Sequence, residues 1–290
     1  MTVLAAAPPA LLDGIAGLAP RYDGFILDVW GVLHNGVEPY PGVIDALERL
    51  HAAGKRVALL SNAPMRAEQV ARRIEKIGVP RPLFQAVMTS GEEVWQNLLH
   101  RTDPFYAALG RRCLFLGTPR HRGMLEGIGL TEAATPDEAD FILDTGPDDL
   151  DDACTPVRAT LERAAALGLP MACANADLHV MHGDTLIVCA GQLAKIYEEM
   201  GGRVRWHGKP HGSVYAACLE LLGIADRSRI LCVGDSLRTD IAGANAAGLD
   251  ALLVAGGIHE AELNPLDPAR VAAFLDGRPQ PRWVAPGLVW

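Results

Sequence analysis

Short apolar runs that stop at a polar residue, each followed by a helical pattern, recur along most of this 290-residue chain. That alternation limits the possible folds more than any other feature of the sequence. FILDV, residues 25–29, reads as a buried strand. In the segment after it, Val43, Leu47 and Leu50 lie at helical spacing, Pro41 suits a helix start and Gly54 suits its end. RVALLSN (56–62) reads as a second buried strand, residues 66–77 as an amphipathic helix stopped by Gly78, and AVMTS (86–90) as a third strand. The pattern continues through CLFLG, a helix at 119–126, DFILDTG, a helix at 155–167, the strand PMACAN, a turn at HGDTLIV and a helix at 191–200. RVRWHG, a helix at 213–222, the strand RILCVGD, a helix at 237–247 and the strand DALLVAGG complete it. Repeated strand–helix alternation predicts an α/β fold on a doubly wound parallel sheet. The proline-rich tail after Asp276, with Trp283 and Trp290, is expected to pack on the surface or on a partner.

Bulk properties narrow the function. At 290 residues one or two domains are expected, and 49% apolar residues suffice for a sizeable core. The formal charge of −9, with no run of Lys or Arg, argues against a nucleic-acid partner. Small anionic substrates stay open, because a bound metal can supply positive charge locally. None of the six cysteines forms a C-x-x-C pair and several lie in apolar runs, so reduced, buried thiols are expected. The first 24 residues have no basic segment ahead of their apolar part and contain prolines and Asp13. They fail as a signal peptide and as a membrane span, so a soluble cytoplasmic protein without a membrane partner is expected.

In open parallel sheets ligands sit beyond the carboxyl ends of the strands. Three apolar strands end there in reactive groups: FILDVWG with Asp28, ALLSN with Ser61 and Asn62, and ILCVGDS with Asp235 and Ser236. Two carboxylates at one edge repel unless a cation lies between them, and Mg²⁺ takes one or two carboxylates plus substrate oxygens and waters. Asp28 and Asp235 are therefore read as metal ligands, with the second oxygen of Asp28 free to attack phosphorus. Ser61 and Asn62 could hydrogen-bond a phosphoryl oxygen, and the Lys209 ammonium, in HGKP, could bridge nucleophile and phosphate as a point charge. Each also has an ordinary reading as a strand-end cap or a solvated turn residue. Asp240, five residues after Asp235, either supports the metal or caps its helix.

The run DVWGVLHNGVEPYPGVIDALERLHAAGKRVALLSNAPMR resembles the first two motifs of haloacid dehalogenase superfamily hydrolases. HGKPHGSVYAACLELLG and RILCVGDSLRTDIAGANAAGLDALLVAGGI resemble the third and fourth. Order and spacing look like the class IIA branch, with its sugar phosphatases, 4-nitrophenylphosphatases and pyridoxal phosphatases. The resemblance implies a Rossmann-like core at residues 1–89 and 190–290 and an inserted α/β class II cap domain at 90–189. It implies Asp28 as nucleophile and metal ligand, the backbone carbonyl of Trp30 and Asp235 as further ligands of Mg²⁺, and Ser61 and Lys209 as holders of the phosphoryl group. Asn62, Gly31 and Asp240 would support them. Asn175 and Asp177 resemble an Asn-x-Asp segment at the substrate end of the site, with an Asx turn as the alternative. The implied activity is phosphoric monoester hydrolysis of a small phosphorylated metabolite, with sugar phosphates as the default by analogy. Such families also allow a homodimer through the cap.

One position departs from the family pattern. Phosphatases of this superfamily usually carry an acidic residue two positions after the nucleophile, to protonate the leaving oxygen and later activate water; here it is Trp30. Indole does not titrate in this range. His34 is the nearest titratable substitute in sequence, and Asp177, His179 and His182 are others. The rival readings are a non-phosphatase hydrolase of the superfamily and a catalytically weak metabolite-binding module. Phosphonate cleavage through a Schiff base is disfavoured, because residues 92–193 contain no lysine.

Overall fold

The computed structural model describes residues 9–147, 154–182 and 185–290. The first eight residues, and 183–184 within the expected turn at HGDTLIV, lie outside them. The chain folds as two compact units: Met1–Ser61, Ala71–Met88 and Tyr215–Trp290 form the first, Asn62–Val70 and Thr89–Val214 the second.

A seven-stranded sheet organises the first unit. Its order is β1 (Ala10–Leu11), β14 (Trp283–Ala285), β13 (Asp250–Val254), β12 (Ile230–Gly234), β2 (Gly24–Asp28), β3 (Arg56–Ser61) and β4 (Ala86–Thr89). The pairings from β1 through β3 are all parallel. Every residue of β2 and β12 is buried, as expected of strands covered on both faces, and this is why they read as unbroken apolar runs. The helix Val43–Ala52 buries Val43, Ala46, Leu47 and Leu50, one apolar stripe at helical spacing. Each leucine so buried contributes about 1.5–3 kcal/mol. The chain leaves this helix through Gly54, whose φ of 67° is a left-handed conformation that glycine adopts without strain.

Register fixes where the strands end. Leu27 pairs with Val233 and Asp28 with Leu60. Asp28, Ser61 and Asp235 therefore leave three adjacent strands at one carboxyl edge.

The second unit has its own parallel sheet, in the order β11 (Arg203–Trp206), β8 (Pro170–Cys173), β7 (Phe141–Asp144), β5 (Arg112–Leu116) and β6 (Thr131–Glu132). A separate antiparallel hairpin joins β9 (His179–His182) to β10 (Thr185–Val188). Side chains alternate across a strand. Ile142 of β7 accordingly packs into one core with Leu161, Met171, Leu193 and Tyr197. Phe141 and Leu143 enter another, with Val94, Leu98 and Tyr106. Helices Thr155–Ala166 and Ala190–Glu199 supply the first core and Ser90–His100 the second, so both faces of the sheet are covered.

Several local expectations are corrected. The tail is no surface appendage: Trp283–Ala285 is buried and hydrogen-bonded between β1 and β13 inside the sheet. Three residues were too short to read as a strand, and the prolines around them pointed to irregular structure. The helix expected at 119–126 is present as a 3₁₀ helix, Pro119–Leu125. Helix Ser90–His100 gave no signal at the sequence level because its buried face includes Ser90, Gly91, Glu92 and Glu93. The predicted helix at 237–247 splits into a π turn, Leu237–Ile241, and a short α-helix, Ala242–Ala246. All six cysteines are free and five are buried. Among the described residues no helix is long and apolar enough to cross a membrane.

Candidate active site

The carboxyl edge of the first unit's sheet gathers three acids. Asp28, Asp235 and Asp240 each present a ligand atom, and these atoms lie within 4.8 Å of one another. Asp235 and Asp240 are buried and Asp28 is 9% exposed. Asp240 reaches the cluster because of the π turn, a widened turn common at functional sites. Ile241 N–H closes it on the Ser236 carbonyl at 3.1 Å, and Ser236 N–H donates to Asp240 Oδ2, also at 3.1 Å. The buried Tyr215 hydroxyl caps the turn from behind, 3.1 Å from the Asp240 carbonyl and 3.2 Å from that of Thr239. Sequence reading offered Asp240 as a supporting or capping group; the cap here is Ser236, and the Asp240 carboxylate stands among the acids.

Glycines make the approach possible. A Cβ on Gly31, at φ 85°, would lie 2.0 Å from Asp235 Oδ2, and one on Gly257 would lie 2.3 Å from the same atom. Ile258 N–H donates to that oxygen at 2.9 Å. Three carboxylates confined this closely repel one another in water-poor surroundings, and a divalent cation removes the repulsion. An oxygen-only donor set of this kind fits a hard cation. Ser61, half-buried, ends β3 at the same edge.

Trp30 is held within a tight loop. Gly31 N–H donates to the His34 carbonyl at 3.1 Å, and Leu33 N–H to that of Val29 at 2.9 Å. The indole meets the His34 ring edge-to-face, 5.5 Å between centroids, and its far edge rests on Gly36, where a Cβ would approach to 2.4 Å. His34 is unsuited to the missing acid's role. It is buried, its Nδ1 accepts the Gly36 N–H at 2.9 Å, and burial followed by the charge of Arg73 lowers its pKa to about 4. It stays neutral at pH 7 and locks the loop that carries Trp30.

In the second unit Asn62 is a junction. Its Oδ1 accepts the Lys209 N–H at 2.7 Å, while Nδ2 donates to the Lys209 carbonyl and to Asp177 Oδ1, both at 3.1 Å. Lys209 is buried. Asn175 is also buried, and its side-chain oxygen accepts the Asp177 N–H at 2.8 Å, so the Asx turn is present. His179 is exposed and belongs to a strand, and the His182 side chain lies outside the described residues.

The predicted site residues thus fall into two groups. Asp28, Trp30, Ser61 and Asp235 belong to the first unit; Asn62, Lys209, Asn175 and Asp177 belong to the second. Sequence reasoning missed the tie from Asn62 to Lys209 and Asp177, because the partners are 147 and 115 residues away.

Residues 25–131 match the haloacid dehalogenase-like hydrolase family, and residues 206–277 match a HAD-hydrolase-like family. The chain is 30% identical to chronophin of Bos taurus over 269 residues, covering 83% of this chain and 84% of that protein. It is 28% identical to the D-glycerol 3-phosphate phosphatase of Mycobacterium tuberculosis over 251 residues, covering 84% of this chain and 66% of that one. Among solved structures, a haloacid dehalogenase-like hydrolase from Brucella suis superposes with a TM-score of 0.82 at 33% identity, covering 96% of this chain and all of the other.

Proposed function

The chain belongs to the haloacid dehalogenase-like hydrolases, and from that membership we propose that it is a Mg²⁺-dependent phosphatase acting through an aspartyl-phosphate on Asp28. The observation that carries the reading is the three-carboxylate cluster at the carboxyl edge of β2 and β12. Its fit to a divalent cation supports Asp28 and Asp235 as holders of the metal, with Asp240 beside them; the Trp30 carbonyl joins them by the family pattern alone. Bound there, Mg²⁺ would supply positive charge to the phosphoryl oxygens.

One Asp28 oxygen attacks phosphorus, and the bond to the leaving oxygen breaks with its electron pair. Water then attacks the same phosphorus, which releases inorganic phosphate and restores the carboxylate. Ser61 and Lys209 hold the phosphoryl oxygens in this reading. Asn62, whose two amide N–H groups go to the Lys209 carbonyl and to Asp177, supports Lys209 instead of the phosphate, and Asn175 and Asp177 are the candidate contacts to the rest of the substrate. The substrate is a small phosphorylated metabolite, a class to which D-glycerol 3-phosphate, named for the Mycobacterium tuberculosis relative, also belongs. Sugar phosphates are the first candidates, by analogy alone.

Trp30 gives this phosphatase its particular character. Without an acid at that position, leaving groups that depart as stable anions are favoured, since general acid help is worth about 10²–10⁴ in rate. Trp30→Asp should raise turnover of an alkyl phosphate about tenfold while changing 4-nitrophenyl phosphate little. No gain on the alkyl ester would show that the missing acid is not the limitation. The decisive experiment compares wild type with Asp28→Asn on 4-nitrophenyl phosphate with and without Mg²⁺. Equal activity in both proteins would overturn the phosphatase reading and favour a binding module.

A further inference from the structure

Lys209 sits in a turn held from behind by buried polar groups that the proposed reaction leaves unused. The turn follows β11 and needs a glycine before the lysine: Gly208 has φ 91°, and a Cβ there would lie 2.4 Å from Asn62 Oδ1 and 2.9 Å from Ser90 Cβ. Two successive backbone N–H groups meet side-chain acceptors. Lys209 N–H donates to Asn62 Oδ1 at 2.7 Å, and Gly208 N–H donates to Glu93 Oε2 at 3.2 Å. Asn62 was anticipated from its place in the sequence; Glu93 was not.

Glu93 is the fourth residue of helix Ser90–His100 and is buried. His207 Nδ1 approaches the same Oε2 at 3.0 Å, off the line of its N–H, and both side chains are almost wholly enclosed. A carboxylate that close requires hydrogen on Nδ1. At the other end of the imidazole, the hydroxyl of fully buried Tyr106 lies 2.6 Å from Nε2. His207, the Ser213 hydroxyl and the Gly208 N–H together outweigh burial and keep the Glu93 carboxyl below its usual range, so it is charged. Burial keeps Tyr106 protonated. The helix that carries Glu93 is itself tied down, because the Ser90 hydroxyl donates to the Ala174 carbonyl at 2.5 Å.

A buried carboxylate against a buried imidazole is a poor means of adding stability, since well-packed apolar residues of similar volume often do as well. What this pair does that apolar residues cannot is offer an acceptor to the N–H of the residue before Lys209. We infer that Glu93, oriented by His207 and Tyr106, is a positioning residue that sets the backbone of Gly208 and Lys209 and so aims the lysine at the phosphoryl group. The inference rests on the phosphatase reading only for the identity of what Lys209 holds.

The test is a double-mutant cycle of Glu93→Gln and Lys209→Ala. It is read by kcat and KM on 4-nitrophenyl phosphate and by the affinity of inorganic phosphate, measured calorimetrically with Mg²⁺. A misplacement of about 1 Å can cost up to about 10²-fold. Glu93→Gln alone should weaken phosphate binding and raise KM about tenfold. In the Lys209→Ala background it should change neither. Losses of equal size in both backgrounds, or no loss in the single variant, overturn the inference. Should Glu93→Gln not fold, Tyr106→Phe takes its place, with a smaller loss that likewise vanishes when Lys209 is absent; a loss that persists there overturns the inference. The calorimetric cycle does not need Asp28 chemistry. Failure of the phosphatase reading would show as turnover unaffected by Asp28→Asn, and failure of the positioning role as additive losses in phosphate binding.

Discussion

Residues 25–28 and Phe141–Asp144 are both Phe-Ile-Leu-Asp, and each ends a central strand of a parallel sheet in its own unit. The two terminal aspartates nevertheless differ in kind. Asp28 pairs with Leu60 on one side, and on the other it follows Leu27, which pairs with Val233, so that Gly234 and Asp235 come next to it. It stands in a cluster of three acids. Asp144 is level with Leu116 and Cys173 and is wholly buried. One of its oxygens accepts the Gly146 N–H at 2.9 Å, and the other has no hydrogen-bond partner among the described residues. Burial pushes its pKa well above the carboxylate range, so it is a neutral acid. Four identical residues fix a strand and put a carboxyl at its end. The neighbouring strands decide whether that carboxyl joins a cluster of acids or stands alone in a core.

The largest expected effect that separates the two is on turnover. Asp28→Asn should lose about 10³-fold or more on 4-nitrophenyl phosphate, as removal of a nucleophile does, while Asp144→Asn should stay within about threefold of wild type. Equal losses would mean that the two strand ends are not functionally distinct.

Metal removal probes the same contrast through stability. A cation that binds only the folded state adds about 2.7 kcal/mol at a hundred times its Kd. Melting temperature should therefore rise with Mg²⁺ and fall with chelator in wild type and in Asp144→Asn. It should be insensitive to both in Asp235→Asn. A Mg²⁺ shift preserved in Asp235→Asn would place the cation elsewhere.

A smaller effect appears in the pH dependence of stability. In the unfolded chain Asp144 ionises near pH 4, about the ordinary value. In the folded chain it holds its proton far higher. Folding therefore takes up a proton above pH 4, and stability falls with rising pH by about 1.4 kcal/mol per unit until the folded group ionises. His34 and His121 act in the opposite sense. Burial lowers each to about 4, so between their unfolded value near 6.5 and that pH the unfolded chain binds protons the folded chain refuses. Stability due to them is present above about 6.5 and is lost as pH falls to about 4. Urea denaturation of wild type and Asp144→Asn at pH 5, 6.5 and 8 isolates the carboxyl. The variant should gain on wild type as pH rises, and a constant difference would show that Asp144 is ionised.

The parallel architecture was legible because strands buried on both faces must be apolar throughout, as in FILD, VALL and ILCV. Their polar ends marked the carboxyl edge. Features that depend on backbone detail were hidden. Nothing in LRTDI announces a π turn, yet that turn is what carries Asp240 in among the other acids. His34 looked like a spare acid from its place beside the motif; burial and the Gly36 N–H remove it from that role. The tail's three-residue strand is too short to carry periodicity, and only a vacant edge beside β13 gives it a place.

The sequence by itself determined the alternation of elements, the edge at which Asp28, Ser61 and Asp235 emerge, and the family, because all of these follow from side-chain period and local motif. Tertiary structure alone decided which carboxyl joins the acid cluster and which is buried by itself, and which distant groups hold the Asn62–Lys209 junction. A carboxyl's ionisation, and the partners of a backbone N–H, depend on atoms a few ångströms away that lie a hundred residues off along the chain.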